Sequence, residues 1–261
     1  MVLKRFISFI LILCIICSVS ASTVSASDAQ SWYIIKKGGN KAPEFPPDAD
    51  FIECHGGFFV DSSDTAQENK WVYLTFDAGY ENGNVNKILD ILKEKKVCGA
   101  FFILSNLIYK NPELVTRMAD EGHTVCNHTK NHKDMTTLTD EEMQKNLAVL
   151  EEQYKELTGR EMSKYFRFPE GRYNKEKILL CESLGYKTFF WSLTHADWDN
   201  SCQPNEAKSI KILTENIHPG AILLFHPTSE VNVRILPLLI DKWREMGYTF
   251  GKLDDIVNNN N

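Results

Sequence analysis

The stretch WVYLTFDAGY, Trp71 to Tyr80, runs six apolar or β-prone residues into an aspartate. The run reads as a buried strand that ends on Asp77, where a carboxylate is costly unless it is paired or used. Working outward, the following segment NVNKILDILKEKK (84–96) places apolar residues at 85, 88, 89 and 92, one face of a helix. GAFFIL (99–104) is the next strand, and PELVTRMADEG (112–122) is a helix opened by proline. HTVC (123–126) is a short strand. In LTDEEMQKNLAVLEEQYKELTG (138–159), Thr139 and Glu142 form a capping box and Gly159 marks the stop. YFRF, KTFFW, AILLF and YTF supply further strands, with helical patterns near 174–184, 204–216 and 231–247. Such alternation predicts an α/β fold with a parallel sheet, either doubly wound or closed as a barrel; periodicity does not distinguish the two.

The 261 residues, 43% hydrophobic and 25% charged, suit one domain with a short extension. At the start, Lys4 and Arg5 precede the apolar residues 6–19 and then small residues up to Ala21 and Ala26. This is the layout of a signal peptide over 1–26, and the apolar run is short for an uncleaved anchor. Its removal takes two basic residues and no acid, so the formal charge moves from −6 to −8. An acidic, exported chain lacks the basic footprint of a nucleic-acid binder. Five cysteines then remain (Cys54, Cys98, Cys126, Cys181 and Cys202), an odd number without a C-x-x-C pair, which argues against a disulfide scaffold or zinc knot. Residues 27–70 are rich in Gly and Pro and read as an irregular arm docked through Trp32, Tyr33, Phe51, Phe58 and Phe59; the main domain is expected over 71–257.

In parallel α/β folds, sites collect at the carboxyl ends of the strands. Five polar sets fall there in order: Asp77, the pair His128 and His132, Arg167 with Glu170, Asp197, and His226. Four of them have a plain alternative: a helix cap for Asp77, chance spacing for the histidine pair, a surface arginine for Arg167, a core histidine for His226. Together they describe metal-assisted hydrolysis. Two histidines four apart can hold a divalent ion. Asp77 is placed to take a proton from water and His226 to give one to a leaving amine. Arg167 would keep Asp77 ionised, and Asp197 would keep His226 protonated. Backbone N–H groups near the Pro169–Gly171 turn would receive an oxyanion.

These five motifs resemble those of the polysaccharide deacetylases with a NodB homology domain, the family 4 carbohydrate esterases, over about 72–256. They stand here as Thr75-Phe76-Asp77-Ala78-Gly79, His128-Thr129 with His132, Arg167-Phe168-Pro169-Glu170-Gly171, Asp197-Trp198 and Leu224-Phe225-His226. The resemblance implies a distorted (β/α) barrel that removes N-acetyl groups from a sugar polymer, with Asp77 as base, His226 as acid, and His128 and His132 as ligands of a divalent metal, zinc above all. TFDAGYENG, the PPDAD arm and HPGAILLFHPTS are most similar to the branch acting on N-acetylmuramic acid for the muramic δ-lactam of spore cortex. The implied partner is the peptidoglycan glycan strand, met outside the cell or in its envelope by a monomer. Trp198, Tyr80 and Arg172 are the expected substrate contacts.

Two departures matter. The family's third metal ligand falls on Ala78, which cannot coordinate, so a weakened site is expected; Cys126, two residues before His128, is a conceivable replacement. Glu170 has the wrong sign to meet a lactyl carboxylate, whereas Arg172 has the right one. N-acetylglucosamine oligomers are the alternative substrate, and a catalytically inactive glycan-binding module is the rival function.

Overall fold

The computed structural model describes residues 29–260, so the leader lies outside the described residues. The chain enters through β1 (Gln30–Ser31), α1 (Ala49–Cys54), β2 (Gly57–Phe58) and α2 (Asp64–Glu68), and reaches β3 (Trp71–Ala78). There follow α3 (Val85–Lys95), β4 (Ala100–Ile103), α4 (Ser105–Lys110), α5 (Pro112–Asp120) and β5 (Thr124–Asn127). The second half runs α6 (Asp140–Thr158), β6 (Tyr165–Phe166), β7 (Arg172–Tyr173), α7 (Lys175–Ser183), β8 (Lys187–Phe189) and β9 (Leu193–Thr194). It closes with α8 (Glu206–Glu215), β10 (Ala221–Phe225), α9 (Glu230–Glu245), β11 (Thr249–Phe250) and α10 (Leu253–Asn259).

The main sheet is parallel, in the order β2-β8-β6-β5-β4-β3-β10-β9. Strand β11 pairs with Trp71 and Val72, the early residues of β3 that β4 leaves free by pairing only from Thr75 onward. Strands β8 and β9 lie towards opposite ends of this order, yet only Phe190, Trp191 and Ser192 separate them in the chain. That short link therefore crosses the open side and curls the sheet into an incomplete barrel. On the way Phe190 N–H donates to Phe58 O (2.7 Å) and Ser192 N–H to Ile222 O (3.0 Å). This is the distorted barrel expected, and it settles the choice that periodicity left open.

Period-two alternation divides β3 between two environments. Val72, Leu74 and Phe76 join an outer apolar layer with Leu89 and Leu92 of α3 and Leu239 and Trp243 of α9. Tyr73 faces the barrel interior with Phe102, Cys126, Phe189 and Ile222. Around the sheet, α6 has the expected capping box, with Glu142 N–H donating to Thr139 Oγ1 (3.2 Å) and Thr139 N–H to Glu142 Oε2 (2.9 Å). Gly159 ends it in the left-handed region at φ 70°. The arm is irregular over much of its length but is also part of the sheet: β2 extends one edge by pairing with β8, and β1 pairs antiparallel with β7. No helix among the described residues is long and apolar enough to cross a membrane.

Candidate active site

Strands β3 and β10 are neighbours whose register pairs Phe76 with Phe225; Asp77 is the penultimate residue of β3, and His226 directly follows β10. They line one cavity of about 590 Å³ with His132, Glu170, Gly171, Trp191, Thr194, Trp198 and Leu224. Asp77 accepts from Arg167 Nη1 (2.8 Å). Arg167 is fully buried, and its other donors are also used: Nε on Phe189 O (3.0 Å), Nη2 on Thr75 Oγ1 (2.9 Å) and Phe190 O (3.2 Å). Its guanidinium lies 4.1 Å from the centre of the Phe102 ring. A side chain held at all three of its nitrogens is a fixed charge beside Asp77.

Burial opposes ionisation of Asp77, but His128, Arg167 and His226 outweigh it and hold the carboxyl below its ordinary range. Burial pulls His128 itself down to about 4, so near neutral pH it is uncharged and Arg167 is the permanent counter-charge. For His226 burial again disfavours the charged form, and Asp197 overrides it, so that its pKa is raised. Asp197 is fully buried and surrounded by donors: His226 Nδ1 at 2.9 Å, His226 N–H at 2.8 Å and Asn232 Nδ2 at 2.6 Å. A carboxylate and an imidazole are thus pushed apart, the first towards the deprotonated base and the second towards the protonated acid.

His195, close to Asp197 in sequence, does not compete for that role. Asn232 donates its amide N–H to Asp197, so its Oδ1 accepts, and His195 Nε2 supplies that proton at 2.9 Å. Ser209 Oγ lies 3.1 Å from the other ring nitrogen. Burial lowers the His195 pKa, and the neutral ring braces Asn232. Asn232 escaped the sequence reading because an asparagine in the first turns of a helix looks like ordinary helix chemistry; its value comes from what α9 packs against.

The histidine pair sits on a strained loop. Thr129, a β-branched residue, has φ 81° and His132 has φ 58°. Asn127 Oδ1 accepts from Thr129 N–H (2.9 Å), and Thr129 Oγ1 accepts from His132 N–H (2.9 Å), so this threonine shapes the turn between the two rings. His128 Nδ1 lies 2.9 Å from Arg167 O. A carbonyl only accepts, so the proton is on Nδ1 and the lone pair of Nε2 faces the site, 3.5 Å from Asp77 Oδ2. That is the orientation of a metal-binding imidazole with a carbonyl behind it. The two rings are 5.0 Å apart at 70°. Among the described residues no group of three or more His, Cys, Asp or Glu side chains is gathered to hold an ion, and Ala78 is packed into the outer apolar layer. Cys126 does not fill the gap: its thiol lies in the barrel interior beside Ser163 Oγ (3.5 Å), and burial pushes it up to about 12. The donor set fits a divalent ion through two imidazoles.

The expected substrate contacts divide. Trp198 lines the cavity and is 64% exposed, an indole face open to a ligand. Tyr80 is outside the lining, its hydroxyl accepting from Asn200 Nδ2 (2.8 Å). Arg172 is also outside it: the guanidinium forms an ion pair with Asp134 (2.8 Å), while Glu170 takes the place on the cavity wall. The reason is local, because Glu170 and Gly171 both adopt left-handed backbone (φ 56° and 64°), which turns the chain before Arg172 enters β7.

The chain is similar to several known proteins. The sequence model described as polysaccharide deacetylase matches residues 64–189. The chain is 36% identical over 217 residues to the peptidoglycan-N-acetylmuramic acid deacetylase PdaA of Bacillus subtilis, covering 81% of each protein. The solved structure of Bacillus subtilis PdaA, a family 4 carbohydrate esterase, superposes with a TM-score of 0.84 and 32% identity, covering 90% of this chain and 99% of that one. A family 4 pseudoenzyme from Bacillus anthracis shares the fold at a TM-score of 0.68 and 25% identity, over 77% of this chain and 68% of that one. This chain belongs to the polysaccharide deacetylase family, the family 4 carbohydrate esterases, and is a hydrolase of that class.

Proposed function

We propose that this protein removes the acetyl group from N-acetylmuramic acid in peptidoglycan, in the pathway to the muramic δ-lactam of spore cortex. The observation that carries the reading is the opposite tuning of Asp77 and His226 on one cavity wall. Asp77, ionised beside Arg167, takes a proton from the attacking water. His226, kept protonated by Asp197, gives a proton to the nitrogen as the C–N bond breaks. Pro169 has no N–H and the Gly171 N–H is donated to Phe168 O (3.0 Å), so the Glu170 N–H is the donor of this turn that receives the charge developing on the carbonyl oxygen. His128 and His132 would hold a divalent ion, zinc by donor type, which when bound polarises the carbonyl and acidifies water. Trp198 offers its face to the sugar. The likeness to PdaA supports the muramic assignment and the leader pattern supports export to the envelope; in this reading a monomer acts through residues 71–257 as its catalytic domain.

Glu170 on the cavity wall and Arg172 tied to Asp134 favour, as a second reading, uncharged N-acetylglucosamine oligomers. The test is acetate release by protein stripped of metal and titrated with zinc, on strands lacking stem peptides and on chitooligosaccharides. Metal-dependent release from the strands, lost in Asp77→Asn, supports the first reading. Release confined to chitooligosaccharides replaces it with the second. A folded protein that retains glycan but releases nothing is an inactive binding module.

A further inference from the structure

Two walls of the cavity meet a residue of the arm that lies outside the matched family region. Trp32 is 5% exposed. Its backbone N–H donates to Gly171 O (2.8 Å), and its indole N–H donates to Trp191 O (2.8 Å). Gly171 and Trp191 both line the cavity. They also flank the groups that seat Arg167, since Gly171 ends the Arg167 motif and Trp191 follows the Phe189 and Phe190 carbonyls that Arg167 grips. The Trp32 ring is locked by Phe190 (centroids 4.7 Å apart), Phe59 (5.0 Å) and Phe45 (5.8 Å). Immediately beside it, Gln30 and Ser31 pair with Tyr173 and Arg172.

The wall held in this way does not have a relaxed backbone. Glu170 is a non-glycine residue at φ 56°, a strained left-handed conformation that persists only where the surroundings enforce it. Gly171 follows at φ 64°, and a Cβ there would lie 2.8 Å from the Trp191 ring and 3.1 Å from Trp32 Cβ. The contact is thus close on both sides. A strained turn, closely packed and linked to Trp191 through a distant residue that donates one hydrogen bond to each, is over-determined from outside the motif.

We propose that Trp32 is a positioning residue of the active site: it clamps the Pro169–Gly171 turn to Trp191 and so fixes the cavity wall that faces the developing oxyanion. It touches no reacting atom. The inference rests on the reading of this cavity as the deacetylation site. A turn whose Glu170 N–H acts on charge present only in the transition state affects kcat when it loosens, and KM little. A displacement of ~1 Å costs up to about 100-fold.

The experiment compares wild type, Trp32→Ala and Trp32→Phe by acetate-release kinetics and by amide hydrogen exchange over residues 167–173. In Trp32→Ala, kcat is expected to fall about 10- to 100-fold with KM within about threefold, and the turn amides to exchange faster. Trp32→Phe keeps the ring and the backbone donor and is expected to recover most of kcat, with a residual loss of a few-fold from the missing indole N–H. Wild-type kcat in Trp32→Ala, or a rise in KM alone, overturns the proposal. If Trp32→Ala does not fold, Trp32→Phe decides: kcat and exchange both indistinguishable from wild type overturn it. Exchange separates this from the substrate assignment, because a wild type inactive on both glycans refutes the assignment while unprotected turn amides in the variants still report the clamp.

Discussion

Replacing Asp197 by asparagine removes one charge at almost constant volume and asks whether this buried carboxylate sets the acid of the site. All three of its close partners donate: His226 Nδ1, His226 N–H and Asn232 Nδ2. An amide at this position must aim its own NH₂ at one of those donors whichever way it is turned. A hydrogen bond to a charged group contributes about 1.5–3 kcal/mol, and 1.36 kcal/mol corresponds to one pKa unit, so the His226 pKa should drop by about one to two. The sign follows from the role. Asp197 raises the pKa of His226, so the protonated acid persists to higher pH and activity is lost as pH rises through that raised value. In Asp197→Asn the alkaline limb of kcat/KM should therefore move to lower pH by about one to two units. Above the new limb the rate should fall by about 10- to 100-fold. Acetate release measured across about pH 5–9 gives the profile, with circular dichroism to confirm folding. A limb that stays in place while the rate falls uniformly refutes the claim that Asp197 acts through protonation of His226.

Other substitutions test separate parts. Asp77→Asn should abolish turnover by about 10³-fold or more and lower the thermal midpoint, because it leaves the fully buried Arg167 without its counter-charge. His128→Ala and His132→Ala should each weaken zinc binding in equilibrium titration by about 10-fold or more, and chelation of the wild type should stop acetate release until metal is restored. Gly220→Ala should destabilise the fold by about 2–4 kcal/mol in denaturant titration, since φ is 76° and the added Cβ would lie 2.0 Å from the Asp61 carbonyl oxygen.

Local sequence carried far in this protein because its signals are short-range and mutually consistent. The alternation in WVYLTF, the Thr139–Glu142 box and the Gly159 stop each depend on residues within a turn or two, and each element forms as read. The order of polar residues at strand ends was enough to name Asp77, His128, His132, Arg167, Asp197 and His226, because a parallel sheet sends every such end to one face. Local pattern did not reach α4 and α10, or β9, whose two residues pair with β10 only because the Phe190–Ser192 link crosses the barrel. It also could not place Arg172, whose preferred partner Asp134 is 38 positions away, or show that Trp32 reaches Gly171 and Trp191. Burial of Asn232 against Asp197, the tautomer of His128 and the opposite tuning of Asp77 and His226 arise from distances between strands, helices and loops remote in the chain. Residue order was enough to say which chemical groups are present and which strand ends carry them. The tertiary structure alone decided which of them touch, because charge, desolvation and hydrogen bonding act through space.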